Sequence, residues 1–372
     1  MGNIHLMEPK MSEEMIKAVV ESISHERFVN GDSVRKFEEE FARFVGSKYA
    51  IAVNNGTNAL VISLLSMGIG NGDLVLTSSA SFIATANAIL QVGANPIFVD
   101  IDERDYNISP PLVQEFVEHY GERIKAIVPV HLYGRPSNMN PISKIAREND
   151  IKILEDACQA HGALYNGKMA GSLGNSAAFS FYPSKNMTVA GDGGMITTND
   201  EHVNSLARTY RDCGRKEGKK YEHDVVGFTA RLNTINAAFG REQLKFMESE
   251  VKVRRNNAKL FQELLSGIDN IALPPADDSM YSSAWHQYVI RTKRRDSLAE
   301  HLAKLGIETG IHYPIPIHQQ PVYRKMKLDQ FKSLPVTEAW AKEVLSIPVH
   351  PRLSTENIEN IAAGVRGFFR SE

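Results

Sequence analysis

From residue 49 onward the chain repeats one pattern: a short apolar run, a turn of Gly, Asn or Asp, then a stretch of helical period. YAIAV (49–53) leads through NNGTNAL into a helix. DLVLTS (73–78) precedes a helix at Ile83–Gln91, and PIFVD (96–100) follows it. IKAIVPVHLY (124–133), a helix near Pro141–Glu148 and IKILED (151–156) continue the alternation. Strands this short and this continuously apolar are buried on both faces. Alternating with helices, they predict an α/β fold built on a mostly parallel sheet between helical layers. SAAFSFY (176–182) and GGMITTN (193–199) are closely spaced, as in the antiparallel part of a mixed sheet. A helical stretch from Thr234 to about Ser266 leads away from this unit. The remainder mixes a strand (HQYVIRT, 286–292), helices near 296–305 and 354–368, and a proline-rich turn, HYPIPIHQQP (312–321). The reading is two domains, 1–245 (with the N-terminal segment) and a smaller α+β unit, 246–372.

Charge and cysteine usage exclude several classes. The net charge is −2, which gives no field for nucleic acid or an anionic membrane. Two cysteines, Cys158 and Cys213, make neither a disulfide scaffold nor a cysteine-based zinc cluster, and fit a reducing cytoplasm. The N-terminus has no apolar stretch behind a basic start, and Leu6 breaks the acylation pattern that Gly2 would begin. Leu74–Val99 carries no charged residue and exceeds the roughly 20 residues that span a bilayer. Its serines, threonines, asparagines and Pro96 fit a strand, helix and strand inside a protein instead. The basic run GRKEGKK (214–220) reads as a solvated loop, with an anion-contacting loop as the alternative.

In open α/β sheets ligands sit outside the carboxyl ends of the strands, and three strand ends here carry unusual polar residues. At Asn54–Asn58, Gly56 permits close approach of a ligand, and the amides of Gly56 and Thr57 open a helix, a setting for phosphate. At Glu155–His161, Asp156 meets the crevice, and Gln159 and His161 add polar groups nearby; Cys158 reads as a small buried hydrophobe. At Ser180–Asn186, Lys185 follows directly on a buried strand, where burial makes an amine a nucleophile toward carbonyls. Read alone, each segment also fits an ordinary role: a capped turn, a helix cap or surface ion pair, a solvent lysine. Read together they fit pyridoxal phosphate, which needs a lysine for its Schiff base, a carboxylate against the pyridinium nitrogen and a dipole-rich phosphate cup. Phe82, after the next strand, supplies an aromatic lid.

NNGTNAL, ASFIATANAI, EDACQAHGA, SFYPSKN and GDGGM, in this order, resemble the DegT/StrS sugar-nucleotide aminotransferases, a branch of the fold-type I enzymes that use pyridoxal phosphate. The resemblance runs from about residue 5 to the C-terminus. It implies a seven-stranded mixed sheet between helices in the large domain, and Lys185 as the Schiff-base lysine and catalytic acid and base. It pairs Asp156 with the ring nitrogen and Gln159 with the phenolic oxygen, stacks Phe82 on the ring, and puts Gly56, Thr57 and Ser180 on the phosphate. It also implies a homodimer with shared active sites.

Two departures stand out. Where the family commonly has G-x-N-x-R-L-[DE], with the Asn reaching the partner's cofactor phosphate, this chain has Thr229 in GFTARLN; G-E-G-G is G-D-G-G. HYPIPIHQQP resembles members acting at C3 of keto sugars, which makes His312, Tyr313 and His318, with His161 and Tyr182, the substrate-contact candidates. A metal site is not expected. The implied reaction moves an amino group from L-glutamate to a nucleotide-linked 3-keto sugar. A 4-keto sugar, a dehydratase or small keto-acid aminotransferase, and a regulatory protein on the same fold are the alternatives.

Overall fold

The computed structural model describes residues 3–326 and 333–370; Gly2, weighed above as an acylation site, lies outside them. Two helices, α1 (Glu13–His25) and α2 (Asp32–Val45), precede the alternation. Then come β1 (Tyr49–Val53), α3 (Gly56–Ser66), β2 (Leu74–Ser78), α4 (Ala84–Gln91), β3 (Asn95–Val99) and α5 (Pro110–Tyr120). β4 (Ile124–Val128), α6 (Met139–Glu148) and β5 (Lys152–Asp156) follow, with a small hairpin of β6 (Leu164–Tyr165) and β7 (Lys168–Met169). β8 (Ser176–Ser180), β9 (Gly194–Thr198) and α7 (Glu201–Arg211) complete the sheet region.

The sheet has seven strands in the order β1-β9-β8-β5-β4-β2-β3. β9 pairs antiparallel with both neighbours, and every other pairing between adjacent strands is parallel. β9 alone therefore runs against the rest, and the carboxyl ends of the other six strands share one edge. The expected mixed sheet is present, with its antiparallel part where the two closely spaced runs lie. Alternate side chains serve opposite layers: Ala50 and Ala52 pack with Phe37 and Phe41 of α2 and with Phe179 and Phe181. Ile51 and Val53 pack with α3. This alternation across a doubly covered sheet is why the strands read as unbroken apolar runs.

The second half departs from the sequence reading in particulars. The single helix expected over 234–266 is two, α8 (Thr234–Leu244) and α9 (Met247–Leu265). α9 serves two cores. Met247 and Val251 pack with the sheet's α2 layer, while Ala258, Phe261 and Leu265 pack in the C-terminal core. That core is built on a two-stranded antiparallel sheet, pairing β11 (Tyr288–Arg291) with β12 (Val344–Ile347), after a short β10 (Tyr281–Ser282). α10 (Arg295–Lys304), α11 (Pro321–Met326), α12 (Pro335–Glu343) and α13 (Thr355–Arg370) follow; α10 and α13 pack in that core, whereas Tyr323 of α11 packs with Phe98 and Trp340 of α12 with Tyr133. The first described residues run along the C-terminal core, while α1 and α2 pack on α8. Ile4 bridges Ile307 and bonds to the backbone of Gly306 and Glu308, because its apolar side chain packs against that core.

One buried carboxylate pins the edge of the sheet that carries the site. Glu155, fully buried in β5, accepts from the amides of Gly171, Leu173 and Gly174 and from His131 Nε2 at 2.7–2.9 Å. His131 Nδ1 accepts from the Ser137 amide, so the ring's donor faces Glu155. The next residue is Asp156, whose carbonyl accepts from the His131 amide at 3.0 Å. A buried carboxylate with four donors leaves no polar group there unpaired, and it fixes the backbone that presents Asp156.

Candidate active site

The carboxyl ends of β1, β2, β5 and β8 open onto one cavity of about 560 Å3, lined by Gly56, Thr57, Phe82, Asp156, Gln159, Ser180, Tyr182, Lys185, His312 and Tyr313. Residues from all three strand ends thus meet, together with two from the C-terminal half.

Asn55 caps α3, accepting from the Asn58 amide at 2.7 Å. The amides of Gly56 and Thr57, in the helix's first turn, have no intrahelical acceptor, and both residues line the cavity, the setting in which a helix start takes phosphate. Gly56 is required by close approach: a Cβ there would lie 2.7 Å from the Ser180 Cβ and 3.1 Å from the Cys158 Sγ. α3 and β8 approach so closely here that even one methyl group would clash.

Asp156 is buried. Its Oδ2 accepts from the Thr85 hydroxyl at 2.7 Å and its Oδ1 from the Cys158 amide at 3.2 Å. Lys185 is half-buried in a turn closed by its amide on the Tyr182 carbonyl. Desolvation lowers its amine below the usual lysine value, against the opposing pull of Cys158 and Asp156. The next residue holds the turn in place: Asn186 donates to the Ala284 carbonyl at 2.9 Å and meets His286 Nδ1 at 3.1 Å. Cys158 lines the cavity as a thiol pushed up by burial.

Tyr133 joins the two halves above the cavity. Its amide donates to Gln159 Oε1 at 2.7 Å, and its hydroxyl donates to the His312 carbonyl. Gln159 Nε2 then donates to the Tyr313 hydroxyl at 3.3 Å. Phe82 is 53% exposed, its ring 5.9 Å from that of Tyr313, an aromatic pair framing the mouth.

Three candidates lie elsewhere. His161 is fully buried, its ring 5.3 and 5.8 Å from those of Phe179 and Phe181; the turn after β5 points it into the core, away from any substrate. His318 has both ring nitrogens engaged, Nδ1 with Ser79 Oγ at 2.7 Å and Nε2 with Glu338 at 3.3 Å. It fastens the proline-rich segment to the end of β2. Thr229 is exposed outside this cavity, its hydroxyl 3.3 Å from the Cys213 Sγ. Missed from sequence were the lining residues Ser81, Thr85, Ser184 and Asp192. Thr85 reads as an unremarkable position in a helix, and only its spacing of four from Ser81 hints that the two hydroxyls meet.

Burial drives His161 down to about 3 and His312 down to about 4, and the charge of Lys185 adds to both shifts. An unfolded histidine titrates near 6.5, so below that pH the unfolded chain binds protons that the folded chain refuses. Stability therefore falls as pH falls from about 6.5 toward 4. For His161 at pH 5 the loss is on the order of 2 kcal/mol. In urea unfolding of cofactor-free protein, His161→Phe should flatten the decline between pH 7 and 5; an unchanged slope would contradict the assignment.

The residues suit pyridoxal phosphate: a helix N-terminus beside Ser180 for the phosphate, a buried carboxylate, and a lysine of lowered basicity, all lining one cavity. The DegT/DnrJ/EryC1/StrS aminotransferase family profile matches residues 9–366. The pleiotropic regulatory protein of Geobacillus stearothermophilus is 38% identical over 97% of this chain and 96% of its own. The dTDP-3-amino-3,6-dideoxy-alpha-D-galactopyranose transaminase of Aneurinibacillus thermoaerophilus is 38% identical over 92% and 91%. The solved structure of S. venezuelae DesV in complex with a ketimine intermediate is similar at a TM-score of 0.94 and 34% identity, covering 99% of each chain. This is a pyridoxal-phosphate-dependent aminotransferase, and the chain belongs to the DegT/DnrJ/EryC1/StrS aminotransferase family.

Proposed function

We propose that this chain moves an amino group from L-glutamate to C3 of a nucleotide-linked keto sugar, giving a 3-amino sugar nucleotide. The observation that carries the reading is the meeting of Lys185 and Asp156 on one cavity whose other wall is His312 and Tyr313. The sugar-nucleotide transaminase among the relatives supports the substrate class, and the HYPIPIH segment supports C3 over C4.

When bound, pyridoxal phosphate supplies a carbonyl carbon for amine exchange and a protonated ring that takes up electrons as a bond at the donor's α-carbon breaks. Lys185 would hold the cofactor at that carbon, and its amine is the group placed to take and return the proton at Cα of L-glutamate. Its lowered basicity leaves more of the neutral amine at working pH, and positioned proton transfer is worth about 10²- to 10⁴-fold in rate. Asp156 would accept from the ring nitrogen and keep its proton there. Gly56, Thr57 and Ser180 hold the phosphate. Gln159 orients the phenolic oxygen, and Phe82 covers the ring face. His312 and Tyr313 contact the sugar, held in place by Tyr133 and by Ser346, whose hydroxyl lies 2.9 Å from His312 Nδ1. Tyr182, 54% exposed at the mouth, meets the substrate as it enters.

The proposal includes a homodimer working in the cytoplasm. α1 exposes Ile16, Val20 and Ile23 on one face, each about half accessible, with Phe28 beyond its end. An apolar stripe of this kind marks an interface, and Thr229 stands exposed as a residue reaching toward a partner's site would. Among the described residues no helix is long and apolar enough to cross a membrane.

A panel of nucleotide-linked 3-keto and 4-keto hexoses with L-glutamate, scored for 2-oxoglutarate release, should show turnover with 3-keto substrates alone. Turnover confined to 4-keto sugars would overturn the C3 assignment, and turnover confined to pyruvate or oxaloacetate the substrate class. In sedimentation the protein should run as a dimer that Ile16→Asp, Val20→Asp weakens; a monomer would contradict the shared-site reading.

A further inference from the structure

Two hydroxyls at this cavity have no part in the reading above. Thr85 and Ser81 are both buried. Thr85 Oγ1 lies 2.7 Å from Asp156 Oδ2, and Ser81 Oγ lies 2.8 Å from Thr85 Oγ1. Their directions follow from counting protons. A carboxylate only accepts, and a hydroxyl carries one proton, so Thr85 must donate to Asp156. Its oxygen is then the acceptor in the second bond, and Ser81 donates to Thr85. The chain Ser81 to Thr85 to Asp156 runs one way, and each link polarises the next.

The same bonds restrict the carboxylate. With Oδ2 held by Thr85 and Oδ1 held by the Cys158 amide at 3.2 Å, neither oxygen turns without losing a donor. The remaining lone pairs serve the cavity. Segment 81–85 thus carries both the hydroxyl pair and Phe82, and the Thr85 amide bonds back to the Phe82 carbonyl at 3.2 Å. A single turn at the start of α4 presents the aromatic ring at the mouth and orients the carboxylate below.

We propose that Thr85, backed by Ser81, is a positioning residue for this reaction: it fixes the Asp156 carboxylate for the cofactor's ring nitrogen and, by donating to it, keeps the shared proton on that nitrogen. A donor on a carboxylate stabilises its charged form, so without Thr85 the shared proton moves toward Asp156 and the ring takes up electrons less well. The inference rests on the proposed pairing of Asp156 with the ring nitrogen.

The test titrates wild type, Thr85→Val, Thr85→Ser, Ser81→Ala and Asp156→Ala with pyridoxal phosphate. It reads the dissociation constant by fluorescence and the pH midpoint of the bound cofactor's absorbance. Loss of a bond to a charged group predicts cofactor binding weaker by roughly 10- to 100-fold in Thr85→Val, with the pH midpoint moved upward. Thr85→Ser should restore both, and Ser81→Ala should move the midpoint the same way by less. Wild-type affinity and midpoint in Thr85→Val, beside cofactor loss in Asp156→Ala, would overturn the role of Thr85 alone. Unchanged binding and midpoint in Asp156→Ala would overturn the carboxylate pairing and this inference with it. Should Thr85→Val not fold, an unmoved midpoint in Ser81→Ala overturns the proposal.

Discussion

A lysine amine and a carboxylate share one cavity at the carboxyl edge of a sheet whose strands, β9 excepted, all point that way. Everything chemical in this chain depends on that convergence. Burial works against the charged form of an amine, and at Lys185 that cost becomes function, because a less basic amine is free to act as a nucleophile and base. A desolvated lysine with an acid in the same cavity is held only where the backbone gives neither side chain another place to go.

The fold supplies that constraint from beneath. Glu155 draws three loop amides and His131 into a fully buried cluster one residue before Asp156, and the His131 amide donates a hydrogen bond to the Asp156 carbonyl. Asn186 ties the lysine's turn to the segment at Ala284–His286, and Tyr133 ties Gln159 to the His312 carbonyl. The site is therefore stitched to both halves of the chain, and α9, which packs in the two cores, holds those halves in register.

The parts of this arrangement that showed in the sequence share a physical cause. β1 through β5 and β8 are covered on both faces, but for Lys125 of β4, so each leaves a nearly continuous apolar run, and a polar residue at or past its end stands out, as Asp156 and Lys185 do. The hidden parts lack such contrast. β12 follows α12 without a turn residue, so the change from helical to extended backbone left no mark. α1 and α2 precede the alternation and fell outside it. His161 and Gln159 occupy the same irregular turn, and nothing in its residues tells which side chain faces the cavity and which sinks between Phe179 and Phe181. His318 sits in a segment rich in polar and proline residues, where a histidine that fastens a loop looks the same as one that binds a ligand. Thr85 needed the fold outright, since its partner is 71 positions away.

The most direct measurement of the central claim is chemical. Reducing the cofactor-loaded protein with borohydride and mapping its peptides by mass spectrometry should place the whole of the added pyridoxyl mass on the peptide carrying Lys185. The label on another lysine, or none at all, would contradict the account.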